Sequence, residues 1–252
     1  MTVPRLGLQL YTVRHATAPL SELLAVVAAA GYEGVESVAT QGVEPLTLRD
    51  ALADAGLTLT SAHVPLASLR DDLPRVAAEH HVLGTPLLVV PFLAPSDRPH
   101  DPSGWAALGR ELSGIGDRLA DEGLALAYHH HDFELVRHGS RDGLTALLEA
   151  ADAERLGLEL DTGWLAATGE DPVAWIQRWG PRIARVHLKD FQPDSPTRWA
   201  DVGQGTVDVA AVAAASRAAG VPWLLVEHDD PADPLATARR SAAAALAILE
   251  RT

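Results

Sequence analysis

Apolar residues along the 252-residue chain gather into short continuous runs, and each run is followed by a longer Ala- and Leu-rich stretch with helical spacing. A short continuous apolar run marks a strand buried on both faces, and the 3.6-residue spacing marks a helix with one buried stripe. The pattern predicts strands at 6–11, 34–38, 57–64, 86–92, 124–131, 156–162, 183–190 and 223–229. Helices are predicted at 21–30, 47–55, 69–82, 104–122, 143–151, 172–179, 209–219 and 234–250. Ser21 and Asp171 read as helix caps, with Pro172 at a first helical position, while Gly31, Gly56, Gly123, Gly180 and Gly220 read as helix ends. Eight strand-then-helix units without a linker predict α/β architecture, a single (β/α)8 barrel forming one domain over residues 1–252. An open doubly wound sheet would need a Gly-rich phosphate turn after its first strand, and residues 11–17 contain no glycine. The longest loops, 94–103 and 192–205, both follow strands, which places them on the carboxyl rim where barrels carry their chemistry.

Composition narrows the function classes. The chain carries 34 acidic against 20 basic residues, a net charge of −14, which disfavours a nucleic-acid partner bound through a basic face. With no cysteine, disulfide scaffolds and thiolate zinc sites are excluded. No run approaches the roughly 20 apolar residues of a membrane span, and no signal-peptide pattern opens the chain, so a cytoplasmic location without a membrane partner is expected. Assembly into a homo-oligomer is compatible with the sequence. There are 44 alanines, no asparagine and one lysine, Lys189, in a chain that otherwise uses arginine. A lone lysine hints at a need for a compact, titratable ammonium, since a guanidinium is planar and permanently charged.

Parallel barrel strands should be apolar throughout, so ionisable residues at strand ends require a reason. Gln9, Glu36, His63, His129, His131, Asp161, His187, Lys189, Glu227 and Asp229 all sit at such ends. Residues two apart share a face, which aligns Arg185, His187 and Lys189, then Glu227 and Asp229, then Glu159 and Asp161. Alternation turns His130 away from its neighbours, toward a structural bond. His80, His81, His100 and His138 read as solvated surface, and Glu36 reads both as a rim residue within reach of substrate and as an acceptor for strand or loop donors. Carboxylates with imidazoles and no thiolate suit one divalent ion, Mn²⁺, Mg²⁺, Co²⁺ or Zn²⁺. Gly203, Gly205 and Thr206 offer a weak backbone nest for an anion.

Eight segments carry a resemblance: GLQLYTVR (7–14), GYEGVE (31–36), SAHVP (61–65), YHHHDFE (128–134), LELDTGW (158–164), VHLKD (186–190), VGQGTVD (202–208) and WLLVEHD (223–229). In this set and order the chain resembles the sugar phosphate isomerase/epimerase superfamily of xylose isomerase-like TIM barrels. That superfamily also takes in inosose isomerases and dehydratases, ketose 3-epimerases and, more distantly, AP endonuclease IV. The resemblance implies a single divalent ion, Mn²⁺ first, held by Asp161, His187 and Glu227 with a fourth ligand from strand five. His129 stands where typical epimerases have a glutamate, whereas the subgroup with a tyrosine-histidine start keeps one slightly later, here Glu134. Glu134 is favoured because it preserves the ligand charge. Of the glutamate pair that ketose epimerases use as acid and base, only Glu227 maps.

The expected activity is isomerisation or epimerisation of a ketose, inosose or keto-sugar through an enediolate, with elimination by a lyase or dehydratase as the close alternative. His131, or His63 across the mouth, would move the proton. Lys189 would donate to a substrate oxygen, Trp164 would wall a sugar face, and Gln9, Glu36, His129 and Asp229 would touch substrate. Nucleic-acid cleavage would need further metal ligands and a basic groove, and a sugar-binding barrel without catalysis would not need the intact Asp161, His187 and Glu227 set.

Overall fold

A computed structural model describes residues 3–251; Met1, Thr2 and Thr252 lie outside the described residues. Eight parallel strands close into a barrel in sequence order: β1 (Arg5–Gln9), β2 (Gly34–Val38), β3 (Thr58–His63), β4 (Leu87–Val90), β5 (Ala125–His129), β6 (Gly157–Asp161), β7 (Ile183–Leu188) and β8 (Trp223–Val226), with β8 pairing back onto β1. The helices are α1 (Leu20–Ala29), α2 (Pro45–Ala55), α3 (Leu66–Leu83), α4 (Pro102–Asp121), α5 (Gly143–Ala150), α6 (Thr162–Ala167), α7 (Pro172–Trp179), α8 (Val209–Ala219) and α9 (Pro234–Leu249). The (β/α)8 barrel expected from the pattern is the fold observed.

Alternation along the strands sorts the side chains into two populations. Leu6, Leu8, Leu88, Val90, Leu126, Leu158, Val186, Leu224 and Val226 join helix residues such as Leu24, Leu112 and Ala242 in one large apolar cluster between sheet and helices. Leu87, Val89 and Ala127 form a separate small cluster. Much of the remaining interior is polar, with Gln9, Glu36, His63, Glu159, Arg185 and His187 buried on the strands. The β2–β3 and β6–β7 registers slip between Val35 and Glu36 and between Leu158 and Glu159. An irregularity of this kind re-aims the next side chain, and here the next side chain is in both cases a buried glutamate.

Several local expectations change. Most barrel strands stop pairing before the predicted ends, so His131, Lys189, Glu227 and Asp229 lie just past the ladder. Ser21 is inside α1, whose N-cap is Pro19 without a side-chain bond, whereas Asp171 caps α7 through the Val173 N–H. Gly180 continues in right-handed helical geometry rather than ending α7 with a positive φ. The helix expected at 69–82 begins at Leu66 and bends at Asp72, ahead of Pro74. α6 was not anticipated, nor was the antiparallel ribbon of Asp190–Phe191 with Trp199–Ala200 inside the loop after β7. His80 is a core residue rather than a surface one: its Nδ1 donates to the Val76 carbonyl, 2.7 Å away, one turn back along α3.

Candidate active site

Asp161 closes β6 and opens α6, its Oδ1 accepting the Trp164 N–H at 2.8 Å. That bond fixes the carboxylate and leaves Oδ2 buried without a hydrogen-bond partner. Its own N–H donates to His130 Nε2 at 3.0 Å, so the His130 proton is on Nδ1, which donates to the His131 carbonyl. His130 therefore faces away from the cavity, and burial pushes it down to about 4, keeping it neutral.

His187, on β7, presents Nδ1 to Glu227 Oε2 at 2.8 Å and to Asp161 Oδ2 at 4.0 Å. Its Nε2 lies 2.9 Å from both Glu36 Oε1 and Glu159 Oε1. One ligating atom each from His129, Asp161, His187 and Glu227 falls within 4.8 Å of all the others. A second such group joins His63, His129, Glu159 and His187. Glu134 belongs to neither. It sits in a short 3-10 turn, Phe133–Leu135, where Oε1 accepts the Tyr128 hydroxyl at 2.7 Å and Oε2 accepts the His131 N–H at 2.8 Å. The residue grouped with Asp161, His187 and Glu227 is thus His129, whereas ligand charge favours Glu134.

Acidic and basic groups are interleaved in this cluster. Glu36, Glu159, Asp161, Glu227 and Asp229 face two permanent positive charges, Lys189 and Arg185, in a region largely closed to water. Burial lowers the His187 pKa, but Glu159, Glu227 and Glu36 outweigh it and hold the ring well above its ordinary value. Burial likewise works against His63, yet Glu36 and Glu159 raise it to about 10. Burial raises Asp161 to about 6 against the pull of Lys189. Glu227 is driven the other way: burial would raise it, and the Lys189 and His187 charges bring it far below the usual carboxylate range. Two imidazoles, two carboxylates and an orphaned buried oxygen fit a hard or borderline divalent ion, with Glu36 and Glu159 bonded to the far nitrogen of His187 as outer partners.

A cavity of about 390 Å³ opens above this cluster, lined by Tyr11, Val38, His63, Pro91, Phe92, His129, His131, Glu227 and Asp229. His131 is packed against Phe133, Phe92 and Trp164, and burial with the nearby Lys189 charge holds it well below its ordinary value, hence neutral. Lys189 is buried, with Nζ 2.6 Å from Asp229 Oδ1 and 3.1 Å from Glu227 Oε2. Trp164 packs on His131, Lys189 and Trp199 and does not line the cavity. Gln9 and Glu36 are fully buried and bonded to each other at 2.6 Å, away from the lining expected of substrate-contact residues.

Sequence reasoning did not assign Tyr11, Val38, Pro91 or Phe92 to the site, and isolated apolar residues at strand ends carry no signal of exposure. It also left Glu159 without a role, although its shared face with Asp161 was visible. The backbone nest at Gly203 and Gly205 is real but filled from within: Asp190 Oδ2 accepts both N–H groups, at 2.9 and 2.8 Å, and Oδ1 takes those of Phe191 and Val207.

Residues 24–250 match the family described as xylose isomerase-like TIM barrel, and the chain belongs to that family. It is 27% identical over 240 residues to an inosose dehydratase of Lacticaseibacillus casei, covering 81% of this chain and 80% of that one. A shorter match, 40% identical over 90 residues, is to the rhizopine catabolism protein MocC of Rhizobium meliloti; it spans 36% of this chain and only 27% of that protein. Among solved structures, the IOLI protein with a bound zinc atom shares the fold at a TM-score of 0.78 and 14% identity, over 98% of each chain.

Proposed function

We propose that this protein is a divalent-metal-dependent enzyme that removes the proton next to the carbonyl of an inosose or related keto-sugar and expels the neighbouring hydroxyl as water. The observation that carries the reading is the convergence of His129, Asp161, His187 and Glu227 beside a cavity that His129 and Glu227 line together with His63 and His131. An ion held by those four residues, Mn²⁺ first among the candidates, would act as a Lewis acid on the carbonyl and offset the charge that develops there. His131, neutral at physiological pH, takes the alpha proton. His63, held protonated by Glu36 and Glu159, gives a proton to the departing hydroxyl, so acid and base are imidazoles in opposite states. Lys189, behind the cavity wall, holds Asp229 and Glu227 toward the substrate, and Tyr11, Val38 and Phe92 limit water at the mouth. The inosose dehydratase likeness, extending over most of both chains, favours elimination. Isomerisation or epimerisation is the second reading; it shares the first step and differs only in returning the proton to carbon.

Incubating metal-loaded enzyme with inososes, ketoses and 3-keto-glycosides in heavy water, followed by proton NMR, tests this. Elimination yields a product lacking one water, whereas isomerisation or epimerisation leaves solvent deuterium on carbon without loss of a substituent. No product and no deuterium from any of these substrates would sink the carbonyl-centred reading.

A further inference from the structure

The only lysine of the chain is buried among three carboxylates. Lys189 Nζ stands 2.6 Å from Asp229 Oδ1, 3.1 Å from Glu227 Oε2 and 3.5 Å from Asp161 Oδ2. Glu227 Oε2 and Asp161 Oδ2 are also the oxygens that face His187 Nδ1. The ammonium and the ion that those atoms suit therefore contend for the same two carboxylates. The backbone and stem of the lysine are held in place. Thr162 Oγ1 donates to its carbonyl at 2.7 Å, Trp164 and Trp199 flank the ammonium at 5.3 and 4.7 Å, and Gly163 leaves no room for a side chain where the lysine stem passes. A guanidinium would not substitute, because its fork is planar while these three oxygens surround a point.

We propose that Lys189, beside His187, is a counter-ion of the metal-free centre, standing in for the divalent ion on Asp161 and Glu227, and that it thereby weakens and sets the affinity of the centre for metal. The inference rests on the metal-dependent reading above. Without metal, the ammonium lies against both carboxylates and holds them in place. A divalent ion entering between His187 Nδ1, Asp161 and Glu227 meets a like charge a few ångströms away in a site screened from water, where repulsion is strong. Asp229 is outside the group of convergent ligand atoms and its side chain is 26% exposed, so it gives the displaced ammonium somewhere to remain.

The test compares Zn²⁺ affinity, by competition with a chelator, and thermal unfolding with and without Zn²⁺. Lys189→Met should bind Zn²⁺ at least about tenfold more tightly, melt lower without metal, and gain more on loading than the wild type. Asp229→Asn, which leaves the ammonium only Asp161 and Glu227, should bind more weakly. Affinity in Lys189→Met that is unchanged or lower overturns the proposal. Should that variant fail to fold without metal, the wild type still decides: lysine labelled with ¹⁵N at Nζ gives a single side-chain signal in this protein, and diamagnetic Zn²⁺ must shift it. A signal that stays put while one equivalent of Zn²⁺ binds overturns the proposal as well. A wild type that binds no divalent ion fails at the earlier step and takes the metal-dependent reading down with it.

Discussion

Three consecutive imidazoles at the end of β5 meet three environments: His129 faces the carboxylates, His130 anchors the Asp161 backbone, and His131 lines the cavity among aromatic rings. Period-two alternation made the outward turn of His130 legible in the sequence. It could not choose between His129 and Glu134, because a glutamate engaged by its own turn looks, in sequence, like one free to reach a metal. His131→Ala should lower turnover by roughly two to four orders of magnitude while leaving bound metal unchanged, since its ring is not among the convergent ligand atoms. Loss of metal in that variant would reassign it. His80 shows the opposite case: a polar residue in an amphipathic helix reads as surface in sequence, yet it is buried with its Nδ1 on the Val76 carbonyl. Burial keeps its folded pKa below the ordinary 6.5, so the unfolded chain accepts a proton there that the fold resists. Above about pH 6.5 both states are neutral and His80 makes no pH-dependent contribution; as pH falls below that value, protonation favours the unfolded chain. Urea unfolding across pH 7.5 to 5 should therefore show a shallower loss of stability in His80→Leu than in wild type, and parallel curves would mean that the imidazole is not shielded.

Whole strands and long helices were readable because burial on one or both faces imposes a period that survives in sequence. α6 was not readable, since six residues cannot display that period and its cap, Asp161, carried a stronger signal as a ligand. The ribbon after β7 escaped for a related reason: it is two residues a side, held by the Asp190 carboxylate rather than by a buried face. Close contact between elements was also hidden. In α4, a side chain at Gly109 would fall on the Leu147 carbonyl and one at Gly116 on the Arg155 carbonyl, so these glycines let α4 lie against α5 and the turn beyond it. Gly114, in the same helix, faces open space. Alanine is the better helix former at all three by propensity alone. Gly109→Ala should nevertheless destabilise the fold by about 1–3 kcal/mol through overpacking, while Gly114→Ala should stabilise it by about 0.5–1 kcal/mol. Urea denaturation of the two variants beside wild type reads the difference, and equal signs would show that α4 is not pressed against α5 as described.

At the scale of the whole molecule, the barrel turns the ends of β5, β6, β7 and β8 into one ring, which is why residues spread from 129 to 227 meet within a few ångströms. The ring was legible because charge at the end of a buried strand is costly unless it is used. The layer beneath was not, because the slipped registers that bring Glu36 and Glu159 onto His187 leave no trace in residue spacing. That lower layer pairs Glu36 and Glu159 with His63, His187 and Arg185, so the acidic side chains left for an ion are those of the ring above, Asp161 and Glu227. A divalent ion that binds only the assembled ring must then stabilise the fold by mass action. At a free concentration one hundred times its Kd the gain is about 2.7 kcal/mol, which for a chain of this size raises Tm by about 5–10 °C. Calorimetric scans of chelator-treated protein with increasing Mn²⁺ or Zn²⁺ should show a rise of that size for wild type, with Tm continuing to climb with the logarithm of ion concentration. Asp161→Ala and Glu227→Ala each remove one corner of the ring and should abolish most of the rise without preventing folding, because neither side chain belongs to the apolar core between barrel and helices. A full rise retained in both variants would place the ion elsewhere, since the same gain would then come from a site that needs neither carboxylate.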